Sequence, residues 1–79
     1  MAAADFRTLR EATPFRPFTI HLADGRRLEV PHRDFASQSP SGRIIIVYRP
    51  DDTFSIVDSM LVTELEVHTN GSGESANGT

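Results

Sequence analysis

The chain has 79 residues, of which 38% are hydrophobic and 24% are charged, with a formal net charge of −3 and no cysteine. This length predicts one domain with a thin core, and the lack of cysteine excludes disulfide bonds and thiolate chemistry. No apolar run approaches the roughly 18 residues of a membrane span, and the first residues lack the apolar segment of a secretion signal, so we expect a cytoplasmic protein without membrane contact.

The charges are divided unevenly along the chain. Residues 1–49 contain all eight arginines and five acids, a net of +3, whereas residues 50–79 contain six acids and no base, a net of −6. We favour the interpretation that the two halves neutralise each other in the fold. The alternative is a molecule that associates head to tail or offers an arginine-rich face to an acidic partner. The use of arginine without lysine favours a GC-rich, bacterial source.

The first predicted element is a short amphipathic helix at about residues 3–12. Phe6, Leu9 and Thr13 fall on one side at helical spacing. Asp5 suits the N-cap or the first turn, where a negative charge interacts well with the helix dipole. Pro14 ends the helix, because the residue before a proline is pushed out of helical geometry.

A β-hairpin is predicted next. With Phe15, the alternating apolar residues of its two strands form the predicted half of the core: Phe18, Ile20, Leu22, Leu28 and Val30. A three-residue turn at 23–25 sets Ile20 opposite Leu28, whereas a two-residue turn would set Leu22 opposite Arg27. We therefore predict the three-residue turn, with Gly25 in the left-handed conformation that such turns require.

The second half of the chain predicts three more strands. Residues 32–35 form one helical turn that places Phe35 on the core, and residues 37–42 form a loop. The unbroken run at 44–48 is typical of a central strand. By the same parity argument, a three-residue turn at 50–52 pairs Tyr48 with Phe54 and Ile46 with Ile56.

The last predicted strand covers about residues 61–67. It directs three apolar residues inward (Leu61, Leu65 and Val67) and Glu64 and Glu66 outward. The predicted fold is α+β and mainly β: a short N-terminal helix followed by about five antiparallel strands in a small, partly open barrel or curled sheet. We expect residues 1–68 to form the single domain and residues 69–79 to form a disordered polar tail.

No pattern in the sequence indicates catalysis or metal binding. There is no nucleophile elbow, and the adjacent Asp51 and Asp52 suit a turn better than an acid–base pair. His21, His32 and His68 are scattered without ligand spacing, so we expect no metal and no cofactor. Two histidines brought together beside Asp34 would change that interpretation. We do not expect an enzyme.

The candidate binding surface is the exposed face of the first hairpin and its surroundings. Its residues are Thr19, His21, Arg26, Arg27, Glu29 and Arg33. An unpaired edge strand could also add to the sheet of a partner. These features predict a non-catalytic protein-binding or regulatory module, whose partner is an unknown protein or, through an edge strand, a second copy of itself.

Three segments resemble a group of short uncharacterised bacterial proteins. They are PFRPFTIHLADGRRLEVPHRDF, SGRIIIVY and LVTELEV, and the group shares a PFxPFxIxLxDGRxxxVxHxxF core. The likeness covers residues 6–67. This chain departs from the pattern at Arg33, where proline is expected, and at Asp52, where glycine is frequent. The resemblance supports the fold and implies no activity.

A helix followed by a five-stranded barrel with an LxDGR hairpin more weakly resembles the Sm-like RNA-binding fold. That likeness implies a ring of subunits that binds single-stranded RNA through loop residues, here Arg26, Arg27, Arg33 and Arg43. The net charge of −3 and a pI of about 5.4 count against it. No aromatic side chain in these loops offers a base a stacking surface. RNA binding is therefore the alternative hypothesis.

Overall fold

A computed structural model describes residues 3–68 and shows one helix and six strands. The helix α1 (Ala3–Glu11) comes first. The strands follow in chain order: β1 (Phe18–Leu22), β2 (Arg27–Val30), β3 (Ala36–Gln38), β4 (Ile44–Tyr48), β5 (Phe54–Asp58) and β6 (Val62–Val67). Two 3₁₀ turns, Arg33–Phe35 and Ser59–Leu61, precede β3 and β6.

The strands form two antiparallel sheets of three strands each. The first sheet has the order β2-β1-β6 and the second has the order β3-β4-β5. The predicted mainly β fold with an N-terminal helix is confirmed, as is the central position of β4 in its sheet. The prediction concerning residues 69–79 lies outside the described residues.

Both predicted hairpin registers are confirmed. In the first hairpin Ile20 is paired with Leu28, and Gly25 has a φ of 92°. In the second, Tyr48 is paired with Phe54, and Ile46 with Ile56. Both turns have three residues, as predicted. A turn one residue shorter or longer would move every side chain of a strand to the other face of its sheet.

Two predictions for the middle of the chain are wrong. The predicted loop at 37–42 contains part of β3, an additional strand that pairs with β4 and raises the number of strands from the expected five to six. Phe35 is only half-buried, and Ala36 takes the core position instead. The predicted helical turn is present as the 3₁₀ turn Arg33–Phe35, but none of its residues is buried.

The inward residues of the last strand were also partly mispredicted. Leu61 is 51% exposed, and Val62 is buried in its place. The cause is a register shift: His21 is opposite Glu64, but its neighbour Leu22 is opposite Val62, so that Thr63 is an extra residue. A bulge of this kind reverses the alternation of side chains along the strand. Val67 at the other end of β6 is also exposed.

The core contains residues of α1 and of both sheets. Its buried hydrophobic residues are Phe6, Phe18, Ile20, Leu22, Leu28, Val30, Ala36, Ile45, Val47, Val57 and Val62. The predicted half of this core is confirmed except for Phe15, which is half-buried at its margin. Phe6 attaches α1 to the first sheet by an edge-to-face contact with Phe18, at 5.9 Å between ring centroids.

Candidate functional site

The outer face of the first sheet carries most of the predicted binding surface. Thr19 lies on this face but is only 3% exposed, so its side chain is not part of the accessible surface. It is covered because its hydroxyl donates a hydrogen bond to Glu29 Oε1 at 2.8 Å and lies 2.7 Å from His68 Nε2. Glu29 and Arg27 are exposed and available for contact.

His21 is in the middle of the same face. Its Nε2 lies 2.8 Å from Glu66 Oε1, and Glu64 is its direct partner on β6. This hydrogen bond is the largest factor that lowers the pKa of Glu66, and the nearby His68 and Arg27 act in the same direction. Ligand atoms of His21, Glu64 and Glu66 all lie within 4.8 Å of one another, so these three side chains could hold a metal ion.

The expectation of scattered histidines is therefore only partly correct. His21 and His68 share one face of the sheet, and both lie beside Glu66 rather than Asp34. His32 lies elsewhere and contacts the ring of Phe35. The sequence contained no signal for this juxtaposition, because His21 and Glu66 are 45 residues apart in the chain and lie on its first and last strands.

Arg33 is not on this face. Its guanidinium donates hydrogen bonds to the carbonyl oxygens of Arg10 and Ala12, at 2.8 and 2.5 Å, and lies 5.8 Å from the centroid of the Phe15 ring. The last carbonyls of a helix have no partner within the helix, and a cation there also interacts well with the dipole. Arg33 thus fixes the C-terminal end of α1, and its part in a binding surface stays a prediction.

Arg26 is on the turn of the first hairpin and pairs within that turn. Its Nε lies 2.8 Å from Asp24 Oδ2, and its backbone N–H donates to Asp24 Oδ1. That backbone hydrogen bond is the main reason why the pKa of Asp24 is lowered. Arg43 pairs with Asp58 at 3.2 Å. Three of the four arginines required by the RNA hypothesis therefore already have partners in the protein.

A second surface, which the sequence analysis did not identify, is the outer face of the second sheet. We call it the apolar hairpin face and define it by Ile44, Ile46, Tyr48, Phe54 and Ile56. Except for the half-buried Ile46, these residues are 39–62% exposed. The rings of Tyr48 and Phe54 pack against each other with centroids 6.2 Å apart. A signal was present in the sequence, since five consecutive apolar residues make both faces of a strand apolar.

Charged groups lie at both ends of the apolar hairpin face. The acidic residues Asp51 and Asp52 form the turn at one end, and the Arg43–Asp58 pair lies at the other. Asp58 also accepts a hydrogen bond from the backbone N–H of Met60, and this is the main cause of its lowered pKa. Beside Tyr48, a groove of about 530 Å³ separates the hairpin from β2, with Pro31, Phe35 and Pro50 in its lining.

The sequence matches no protein-family model and no curated protein, and no solved structure matches the chain. The resemblances to the short bacterial proteins and to Sm-like proteins therefore stay predictions. Within residues 3–68, no helix combines the length and the apolar character needed to cross a lipid bilayer.

Proposed function

We propose that the protein is a non-catalytic protein-binding module whose contact surface is the apolar hairpin face and whose partner is a second copy of the same chain. The observation that supports this proposal is the exposure of Ile44, Tyr48, Phe54 and Ile56 on one side of one hairpin. Large β-branched and aromatic side chains that are contiguous at a surface are typical of interaction sites.

The small area of the apolar hairpin face limits the strength of the association. These four side chains expose on the order of 400 Å², which is within the range of functional patches on monomers. Two such faces bury about 800 Å² in total, less than the roughly 1,200 Å² of most stable complexes. We therefore expect a reversible dimer with a dissociation constant in the micromolar range.

The arrangement of charge favours a second copy over an unrelated partner. A two-fold axis that runs across the strands makes the apolar faces meet and reverses the strand direction of one copy relative to the other. The acidic turn at Asp51 and Asp52 then approaches Arg43 of the other copy. Arg43 is well exposed beside Asp58, so it can interact with both carboxylate groups. Each charge contact occurs twice in such a dimer, which strengthens the orientation more than the affinity.

The remaining expectations are part of the same proposal. A sheet that curls into a partly open barrel leaves the outer face of the second sheet accessible. A bacterial source fits the use of arginine without lysine, and a regulatory role in the cytoplasm fits a sequence without a catalytic motif. RNA binding is the competing hypothesis, and the hydrogen bonds that already engage Arg26 and Arg33 make it the weaker one.

The test is the mass of the protein in solution as a function of concentration, measured by light scattering on a sizing column. We expect the wild type to change from monomer to dimer between about 1 and 500 μM. Ile56→Asp adds a charge at the centre of the face and should keep the protein monomeric throughout. Val67→Asp is the matched control, because Val67 is a similarly exposed aliphatic residue on the first sheet.

A wild type that stays monomeric at the highest concentration would overturn the proposal, and so would a dimer that Ile56→Asp leaves intact. Circular dichroism of each variant verifies that it is folded. Absorbance at 260 and 280 nm tests the RNA hypothesis in the same run. With one Tyr and no Trp in the chain, even a small amount of bound nucleic acid would dominate the spectrum.

A further inference from the structure

The geometry of the first sheet points to a divalent transition-metal site, suited to Zn²⁺, formed by His21, Glu64 and Glu66. One imidazole nitrogen and two carboxylate oxygens lie within 4.8 Å of one another. Three protein ligands with a water molecule in the fourth position form the usual arrangement of an open zinc site. The site is separate from the apolar hairpin face and does not depend on dimer formation.

Small side-chain movements are enough to form the site. With metal–ligand bonds of about 2.0–2.2 Å, tetrahedral ligand atoms are about 3.3 Å apart. His21 Nε2 and Glu66 Oε1 are already closer than this, at 2.8 Å. The third ligand, Glu64, is directly opposite His21 in the strand pairing, where cross-strand side chains are nearest neighbours. The carboxylate of Glu64 has no hydrogen-bond or ion-pair partner among residues 3–68, so it can rotate without losing a contact.

A β-bulge in β6 lies next to Glu64 and affects the direction of the side chains of the site. The register shift between His21 and Leu22 makes Thr63 the extra residue, next to Glu64. The hydroxyl of Thr63 donates a hydrogen bond to the carbonyl oxygen of His21 at 3.3 Å. β-bulges are frequent beside functional sites because they change the direction of the adjacent side chains. Here the bulge holds the His21–Glu64 pair at the point where regular pairing stops.

The charges around the site also favour a cation. Glu64 and Glu66 are two residues apart on the same face of an edge strand, so their negative charges repel each other. The neighbouring groups are Arg27 opposite His21, His68 beside Glu66, and Glu29 across Thr19. Only Arg27 is permanently positive, and it is exposed. A bound dication would relieve the repulsion between the carboxylates more directly than this one mobile side chain.

The test is calorimetric titration of chelator-treated protein with Zn²⁺ at pH 7. We expect one ion per chain with a dissociation constant in the micromolar range. His21→Gln and Glu64→Gln should each weaken binding by at least about tenfold, since each removes one of three ligands. The matched controls are His32→Gln and Glu11→Gln, which make the same changes outside the site and should stay within about twofold of wild type.

Glu64→Gln separates a metal site from a simple ion pair, because it leaves the His21–Glu66 hydrogen bond unchanged. In NMR spectra, Zn²⁺ should shift the ring signals of His21 and leave those of His32 in place. The inference is wrong if no heat of binding is detected at 1 mM Zn²⁺, or if His32→Gln weakens binding as much as His21→Gln does. It is also wrong if Glu64→Gln binds as tightly as wild type, since the ion would then be held by other groups.

Discussion

The two sheets have the same number of strands and hairpin turns of the same length, but the outer face of the first is polar and that of the second is apolar. The first hairpin alternates between apolar and polar side chains, with Ile20 and Leu28 inside and His21, Arg27 and Glu29 on the outer face. The second sheet is apolar on both faces: Ile45, Val47 and Val57 are buried, while Tyr48, Phe54 and Ile56 are exposed. Stability of the single chain requires only one apolar face per sheet.

This difference shows where to look for a function in a small β domain. A polar outer face costs the monomer nothing, so the first sheet needs no partner, and its interest lies in the specific ligands that it brings together. An apolar outer face is unfavourable in water and carries a risk of aggregation. The second sheet is therefore the place where the sequence departs from what folding alone requires.

The largest expected effect compares one phenylalanine of each sheet. Phe18 is fully buried against Phe6, whereas Phe54 is 55% exposed. Phe18→Ala should lower the free energy of unfolding by about 3–5 kcal/mol, and Phe54→Ala by less than about 1 kcal/mol. Urea denaturation followed by circular dichroism measures both values.

The two variants should differ in the opposite way in association. At a concentration where the wild type is dimeric, Phe54→Ala should shift the protein toward monomer with its fold intact. Equal losses of stability at the two positions would mean that the outer face of the second sheet is already covered within the monomer.

A smaller effect on stability is expected at Arg33 and Arg26, which the sequence analysis assigned to one binding surface. Arg33→Ala should lower the free energy of unfolding by about 2 kcal/mol, because two helix carbonyls and the Phe15 ring lose their partner. Arg26→Ala should cause no measurable change, because its ion pair is confined to an exposed turn. Thermal unfolding of the two variants measures the difference, and a similar loss in both would contradict the structural role of Arg33.

The helix and the two hairpin registers could be predicted from the local pattern of apolar and polar residues. Both hairpin registers follow from parity, since a turn one residue shorter would set Leu22 opposite Arg27 in the first hairpin and Arg49 opposite Phe54 in the second. The helix follows from the spacing of Phe6 and Leu9. The sequence could not predict β3, because Ala36–Gln38 has no alternation of its own and pairs with β4 through long-range contacts. Nor could it predict the bulge at Thr63, which reverses the positions of Leu61 and Val62.

The candidate metal site was harder to predict because its residues come from distant segments of the chain. Nothing in the strand that contains His21 indicates that Glu66 lies 2.8 Å away on a strand formed much later in the chain. Thr19 alternates as an outward residue, but Glu29 and His68 cover it. The run at 44–48 did predict a strand, yet periodicity cannot show whether a second apolar face is covered by the chain itself or by a partner.

A third prediction compares the turns of the two sheets. Gly25 and Asp52 occupy equivalent positions with φ of 92° and 71°. Gly25→Ala should lower the free energy of unfolding by about 1 kcal/mol through backbone strain alone, because no atom outside the two adjacent residues lies within 4 Å of the added methyl group. Asp52→Gly should stay within about 0.5 kcal/mol of wild type, since relief of strain is offset by a more flexible unfolded chain. Chemical denaturation measures both, and a clear gain for Asp52→Gly would show that this turn limits the stability of the second sheet.

The smallest expected effect is the pH dependence of stability contributed by Asp58 at the end of the second sheet. The pKa of Asp58 is lowered in the folded protein, first by the N–H of Met60 and then by Arg43. Its charged form therefore stabilises the fold above the ordinary Asp value of 3.8, and this contribution is lost as pH falls through the lower pKa of the folded state. Asp58→Asn should be less stable than wild type at pH 7, and the difference should shrink in urea titrations as pH falls below about 4. Arg43→Gln keeps the Met60 hydrogen bond and should retain most of the pH dependence. If Arg43→Gln removed as much of it as Asp58→Asn, the ion pair rather than the turn hydrogen bond would dominate, and Arg43 would be less available to a second copy.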